Sequence, residues 1–350
     1  MKDLKALFQE YLARPVTLME VCGTHTVNIF RFGLRSLFPP ELTLLSGPGC
    51  PVCVMPQEEI DFLVQAAEKP GVTVAVFGDL LRVPGTHASL KEVRARGGEV
   101  KIIYSPLEAV ELAETHPDQK VLLAGVGFET TAPAQAVAVL EAHRRRLKNF
   151  FFFSALRLMP PALKALLSDP EIKIDGLILP GHVSTVIGSR PYEFIPQKFG
   201  IPGVITGFEP RDILEGIFML LKLIAEDRPT IAIQYQRAVR PEGNPWGKRV
   251  LSEVFVPTEG RWRGLGEIPE SKLRLKEEFK DFEAEETLDI VLEPAEENPA
   301  CRCGEILKGK LRPPDCPLFA RVCTPEKPYG PCMVSSEGAC AAYFRFEVED

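Results

Sequence analysis

The 350-residue chain is 45% hydrophobic and 25% charged, an ordinary globular composition with room for two or three domains. Its net charge of −7, with no basic stripe interleaved with aromatics, excludes general nucleic-acid binding. No apolar run reaches transmembrane length, and Met1 to Leu12 sets apolar residues at helical spacing among charges without a signal-peptide core, so the chain reads as cytoplasmic.

Structural disulfides are rare in that compartment, so nine cysteines point to metal or redox chemistry. They form two groups, Cys22, Cys50 and Cys53 near the start, and Cys301, Cys303, Cys316, Cys323, Cys332 and Cys340 in the tail.

After the N-terminal helix, Val16 to Val21 reads as a short strand that ends in Cys22-Gly23-Thr24-His25-Thr26. Leu42 to Leu45 is a second, running into Gly47-Pro48-Gly49-Cys50-Pro51-Val52-Cys53 and then an amphipathic helix from Gln57 to Glu68. Two thiols at such a turn can close a disulfide, share a metal or act singly. Pro56, Glu58, Glu59 and Asp61 suit the start of the helix, and its dipole would lower the pKa of a cysteine just before it. Structural readings are a zinc half-site or two buried small hydrophobes.

Val72 to Phe77 predicts a third strand, ending in Gly78-Asp79, and Val100 to Tyr104 a fourth after a helical run from Ala88 to Arg96. The alternation is that of βαβ units in a parallel sheet covered on both faces. If the first three strands are neighbours, Cys22, His25, Cys50, Cys53 and Asp79 converge on the rim where open sheets place ligands. Asp79 alone reads as a helix cap, and His25 alone as a structural histidine.

A second block starts near Lys120, with strands at Val121 to Val126, Phe150 to Ala155, Gly176 to Leu179 and Gly203 to Thr206. Helices are predicted over Ala134 to Arg146, Pro161 to Leu167 and Asp212 to Ala225. The turn Gly125 to Pro133 is glycine-rich but is neither a Walker A loop nor a full dinucleotide fingerprint. Arg144-Arg145-Arg146 reads as the solvated end of a helix. His182 in Pro180-Gly181-His182-Val183-Ser184 and Glu209 are placed on the rim of this second lobe.

The expected architecture is α/β: two parallel-sheet lobes facing a cleft, residues 1–115 and 116–230, then a loop-rich iron–sulfur region, 231–350. From Ile231 to Leu292 the pattern is less regular, with a loop at Pro241 to Gly247, a strand at Val250 to Val256 and a charged, solvated stretch from Lys272 to Glu286. The tail lacks the paired C-x-x-C of tetrathiolate zinc, and its C-x-C and single spaced cysteines fit an iron–sulfur cluster better, with two thiols left for a redox pair. Zinc and simply buried thiols are the other readings.

Six stretches together resemble the HypD family of nickel–iron hydrogenase maturation factors: CGTHT from Cys22, GPGCPVC from Gly47, FGDLLRVPG from Phe77, GFETTAP from Gly127, PGHVS from Pro180, and the tail from Cys316 to Cys340. The resemblance runs over nearly the whole chain. It implies a metallocentre assembly factor with thiol redox activity, on which iron receives two cyanides and one carbon monoxide. It implies Cys22 and Cys53 as iron ligands, His25 as a polar or proton-handling neighbour, and Cys50 as redox partner of Cys53. Soft thiolates suit such iron.

The tail is similar to ferredoxin–thioredoxin reductase. That similarity implies a [4Fe–4S] cluster on Cys301, Cys316, Cys323 and Cys340, with Cys303 and Cys332 as the neighbouring dithiol, passing electrons toward Cys50 and Cys53. Cys303 competes with Cys301 for the cluster, and Glu337 either tunes this region or caps. The implied partners are a HypC-like small chaperone and a HypE-like cyanide donor. A stand-alone cluster-dependent disulfide reductase is the competing function, and a zinc-stabilised interaction protein a third.

Overall fold

The computed structural model describes residue 8 and residues 10–348, and the helix expected over Met1 to Leu12 falls largely outside them. In chain order the strands are β1 (Val16–Glu20), β2 (Leu42–Ser46), β3 (Val72–Val76), β4 (Val100–Ile102), β5 (Lys120–Gly127), β6 (Phe150–Leu156), β7 (Gly176–Pro180), β8 (Gly203–Thr206), β9 (Ile231–Ile233), β10 (Phe255–Trp262) and β11 (Gly266–Leu275). The first nine form two wholly parallel sheets with order β2-β1-β7-β8-β9 and β4-β3-β5-β6, while β10 and β11 make an antiparallel hairpin. The protein is therefore α/β, with a cysteine-rich, loop-rich tail.

Membership of the sheets does not follow the chain. The expected boundary at residue 115 cuts through the four-stranded sheet, because β3 pairs with β4 and β5 rather than with β1 and β2. The chain leaves the first sheet after β2, builds the second, and returns with β7, which lies beside β1. Strand order thus reverses between β1 and β7 in one sheet and between β3 and β5 in the other. At such points adjacent connections lead away to opposite sides and leave a crevice at the carboxyl ends of the strands. The carboxyl ends here carry Cys22 after β1, His182 after β7, Asp79 after β3, and Phe128 and Glu129 after β5.

Two expectations beyond β9 are corrected. Val250 to Val256 is not one strand, since a helix runs over Pro245–Val254 before β10 begins at Phe255. Asn244 caps that helix, its side chain accepting from the Gly247 N–H at 3.1 Å, with Pro245 in the first turn, and Val250 and Val254 share the buried face. The stretch from Lys272 to Glu286 is solvated on one face only. Leu273, Leu275, Phe279 and Phe282 are core residues, and Lys272 reaches inward to Glu59 at 2.9 Å. The charges there disguised alternate burial along β11.

Glu59, expected to serve the helix dipole, does more. It is buried in the first turn of Gln57–Glu68 and pairs with the fully buried Arg157 at 2.7 Å as well as with Lys272. Burial alone would raise its pKa, but the charges of Arg157 and Lys272 outweigh that and lower it. Arg157 also donates to Arg261 O at 3.0 Å, so the pair ties β6 to the first-turn carboxylate and the hairpin. The basic cluster is surface, as its spacing suggests, with Arg144 and Arg145 both paired to Glu141.

Glu129, at the end of β5, has the opposite balance. Its Oε1 accepts from the Met159 N–H at 2.9 Å while Oε2 is buried without a partner. Burial pushes its pKa up to about 7.

Replacing Glu59 by Gln leaves the Arg157 guanidinium buried without its counter-ion, and a loss of about 3–5 kcal/mol is expected in urea unfolding. Glu277→Gln, which breaks an exposed pair with Lys280, leaves the midpoint where it was. Glu129 carries a pH signature. Because its folded pKa of about 7 lies above the ordinary 4.5, its contribution is fully present below 4.5 and is lost as pH rises through 7. The parent should lose up to roughly 3 kcal/mol relative to Glu129→Gln between pH 4.5 and 8, read from paired urea curves.

Candidate metal centre

Cys22 is the N-cap of the helix Gly23–Arg31, which starts directly after β1. The turn after β2 closes on it backbone to backbone. Gly23 N–H donates to Gly49 O at 3.0 Å, and a Cβ on Gly49 would stand 2.3 Å from Cys22 N. Only glycine permits this approach, and it is what sets Cys22 beside the Cys50–Cys53 turn. Gly23 is constrained in the same way from the other side, where an added Cβ would meet Glu337 at 2.4 Å.

A cavity of about 110 Å³ lies at this junction. Its walls come from Cys22, from Gly49 and Pro51 in the turn after β2, from Phe128, Thr130 and Thr131 after β5, from His182 and Val183 after β7, and from Glu337 in the tail. Both sheets and the tail therefore enclose one space, the crevice between the two α/β units.

Cys50 and Cys53 are joined as a disulfide, both buried, and the Cys53 N–H donates to Cys50 Sγ at 3.1 Å. Three residues separate Cys53 from the helix Gln57–Glu68, whose N-cap is Pro56, so it is Cys22 rather than Cys53 that occupies a helix N-terminus. Even there the dipole does not prevail. Burial and the nearby Glu337 push the Cys22 thiol up to about 12 against the pull of the His25 and Thr24 N–H groups.

Around Cys22 the sequence supplies a buried polar frame. Glu20 accepts from the Cys22 N–H at 3.3 Å and from Thr26 Oγ1 at 2.5 Å, and burial raises its pKa to about 7. Sequence reasoning passed over Glu20, although a lone acid closing an apolar strand before a cysteine was a visible signal. His25 is fully buried and its pKa is lowered to about 4 by desolvation, which leaves the ring neutral. Its Nε2 lies 2.9 Å from Gly207 O and 2.8 Å from Thr206 Oγ1. A carbonyl only accepts, so Nε2 carries the hydrogen and Nδ1 keeps a lone pair, buried without a partner. Phe208 stacks between His25 and His182, at 4.7 and 3.8 Å. His182 is exposed and lines the cavity, and burial of part of its ring lowers its pKa.

Two expected rim residues lie elsewhere. Asp79 does not line the cavity, because β3 is not a neighbour of β1. It accepts from Ser335 Oγ at 3.2 Å and from Ser336 N and Oγ at 3.1 and 2.8 Å, which ties the tail to the second sheet. Glu209 caps the helix Pro210–Ala225 in a reciprocal arrangement with Asp212 and is also outside the cavity lining. Glu337 is brought in by the tail, where Thr24 Oγ1 donates to its Oε1 at 2.7 Å and burial raises its pKa.

All six tail cysteines line a second, smaller space with Leu318, Phe319 and Met333. Cys303 Sγ and Cys332 Sγ are 2.7 Å apart. Hydrogen bonds from Cys301 and Cys332 hold the Cys303 pKa well below the ordinary thiol value, with Arg263 adding a smaller pull. The same bonds raise Cys301 and Cys332. The Tyr329 N–H donates to Cys323 Sγ at 3.4 Å. Among the described residues no three His, Cys, Asp or Glu side chains converge as ligands of one ion. Soft thiols, apolar walls and an amide N–H on sulfur are a donor set that fits a cluster.

The helices of the described residues include none long and apolar enough to cross a membrane. A family model described as HypD, "Hydrogenase formation hypA family", matches residues 1–347. The chain is 44% identical over 341 residues to "Hydrogenase maturation factor HypD2" of Bradyrhizobium diazoefficiens, covering 95% of this chain and 90% of that one. It is 45% identical over 340 residues to the hydrogenase maturation factor HypD of Azotobacter vinelandii, with coverage of 95% and 90%. To that of Escherichia coli it is 43% identical over 338 residues, with coverage of 96% and 91%. A match that spans both sheets, the crevice and the cysteine-rich tail shows that the chain belongs to the HypD family, a family of hydrogenase maturation factors.

Proposed function

We propose that the chain is the scaffold on which the iron centre of a nickel–iron hydrogenase receives two cyanides and one carbon monoxide. The observation that carries this reading is Cys22, a free thiol at the wall of a crevice built by both sheets, held by backbone contact beside a second pair of sulfurs. The cargo iron is held by Cys22 and Cys53. Cys22 is a thiol at neutral pH, so it binds by giving up its proton as the cation arrives. Cys53 lies in a disulfide and becomes a ligand only after reduction. His25, neutral and with a free Nδ1 lone pair, is the buried base nearest in sequence to that proton, and its backbone N–H donates to Cys22 O at 2.9 Å. His182 stands at the same crevice on the β7 side.

Reduction of the Cys50–Cys53 disulfide takes two electrons and two protons. The Cys303 and Cys332 thiols supply both, their own sulfurs joining as the other bond opens. Cys301, Cys316, Cys323 and Cys340 would hold a [4Fe–4S] cluster, which when bound would pass two electrons, one at a time, from an external one-electron donor to the Cys303–Cys332 disulfide and so restore the dithiol. A HypC-like small chaperone sharing the iron and a HypE-like cyanide donor are the proposed partners, met in the cytoplasm. The disulfide in Cys50–Cys53 also favours a second reading, a stand-alone cluster-dependent disulfide reductase. Such an enzyme needs no Cys22.

Infrared spectra of the anaerobic protein, co-expressed with both partners, should show bands of metal-bound cyanide and carbon monoxide that vanish in Cys22→Ala. A brown protein with partners bound and no such bands establishes the reductase. In separate measurements, Cys316→Ser or Cys323→Ser should remove the visible absorption and the cluster's iron, while Cys22→Ala keeps both. A colourless parent after anaerobic iron–sulfide reconstitution rejects the cluster.

A further inference from the structure

The tip of the β10–β11 hairpin, Arg263-Gly264-Leu265, touches three separate parts of the proposed machinery. On one side lies the stretch that follows Cys53. Arg263 N–H donates to Val54 O at 2.9 Å, its Nε to Met55 O at 2.9 Å, and its Nη2 to Gln57 Oε1 at 3.3 Å. The guanidinium is 4% exposed, and its Nη1 lies 3.5 Å from Glu297, ahead of Cys301.

On the other side lies the helix Cys303–Leu307. Gly264 has φ +77°, and a Cβ there would stand 2.4 Å from Gly304 Cα, so tip and helix meet backbone to backbone one residue from Cys303. Trp262, at the base of the tip, donates from Nε1 to Ser271 Oγ at 2.8 Å and stacks on Phe128, a wall of the Cys22 crevice, at 5.9 Å. A buried arginine is costly unless its donors are used. Here two guanidinium donors and the backbone N–H go to the four residues after Cys53, where a simple hairpin turn would need none of them.

Resting on the relay reading above, we infer that Arg263 is a positioning residue that holds the Cys50–Cys53 loop in register with the Cys303–Cys332 pair, the hairpin tip serving as their common spacer. The step it serves is balanced within the chain: the Cys50–Cys53 bond breaks, the Cys303–Cys332 bond forms, and two electrons and two protons change hands. Thiol–disulfide exchange requires the attacking sulfur to meet its target directly, so a small displacement of the loop costs rate steeply.

The test uses the full chain with its cluster reconstituted and reduced anaerobically, then quenched at intervals with an alkylating mass tag. Peptides carrying Cys303 or Cys332 report the donor pair, and those carrying Cys50 or Cys53 the acceptor. In Arg263→Gln the acceptor thiols should appear roughly tenfold or more slowly, while the donor pair is reduced at the parental rate. Arg263→Lys, which keeps the charge but loses the fork, should recover part of that loss. Gly264→Ala, which leaves the arginine intact and pushes the tip off Gly304, should slow transfer in the same way.

A small phosphine added directly should reduce Cys50–Cys53 at equal rates in all three variants, a readout that a merely loosened fold would accelerate. Parental transfer in both Arg263→Gln and Gly264→Ala overturns the inference and leaves the relay standing. No transfer in the parent, with the donor pair reduced, overturns the relay and the inference with it.

Discussion

The close approach of two backbones at Gly49 and Cys22 is the constraint on which the site depends. β1 and β2 are parallel neighbours, and register alone would leave the turns that follow them side by side but free to diverge. The Gly23 N–H to Gly49 O bond and the missing side chain at Gly49 remove that freedom. From this contact follow the enclosed crevice, the place of the Cys50–Cys53 disulfide against the core, and the need for the tail to cover Gly23 with Glu337. A larger residue at Gly49 would meet peptide atoms, which have nowhere to move.

Within this enclosure burial overrides charge at group after group. Cys22, Glu20, Glu337 and Glu129 are all shifted toward their protonated forms, and His25 toward its neutral one. Cys22 and Glu337 are at the wall of the crevice, and the other three are buried in the fold around it. On the proposed scaffold reading, an arriving metal cation would reverse that balance at Cys22, since its charge favours the thiolate that burial disfavours. Binding and proton release are then one event, and the loss of water that makes the thiol inert also makes the bound cation hard to extract.

The class of fold was legible because the apolar runs were short and followed by glycine or a polar turn, as at Val72 to Val76 and Gly176 to Pro180. Membership of the sheets was not, since nothing local distinguishes a strand that pairs with its predecessor from one that waits for a partner far along the chain. The helix Pro245–Val254 and strand β11 were misread for different reasons. The first has its two buried valines four apart in a polar setting, a pattern short enough to pass for a strand end. The second alternates Leu273 and Leu275 with the exposed Arg274, after Lys272, whose charge is satisfied inside by Glu59. Cys22, His25 and the tail cysteines stood out by type and spacing. Arg263 did not, because its meaning lies in what it touches across the fold.

The interleaving of the sheets also governs how the chain comes into being. Thr17 and Asp175, bonded to each other at 2.7 Å, are 158 residues apart. The first sheet therefore cannot close until β7 to β9 have been made, well after Cys22, Cys50 and Cys53 have emerged. At synthesis rates of roughly 5–20 residues per second, these thiols spend on the order of ten seconds outside any completed core. During that interval they have the pKa and accessibility of ordinary cysteines, open to oxidants and stray metals. Newly made chains are then most exposed to wrong metals before the site exists, and cellular thiol reductants have their largest effect on yield at that stage rather than on the finished fold.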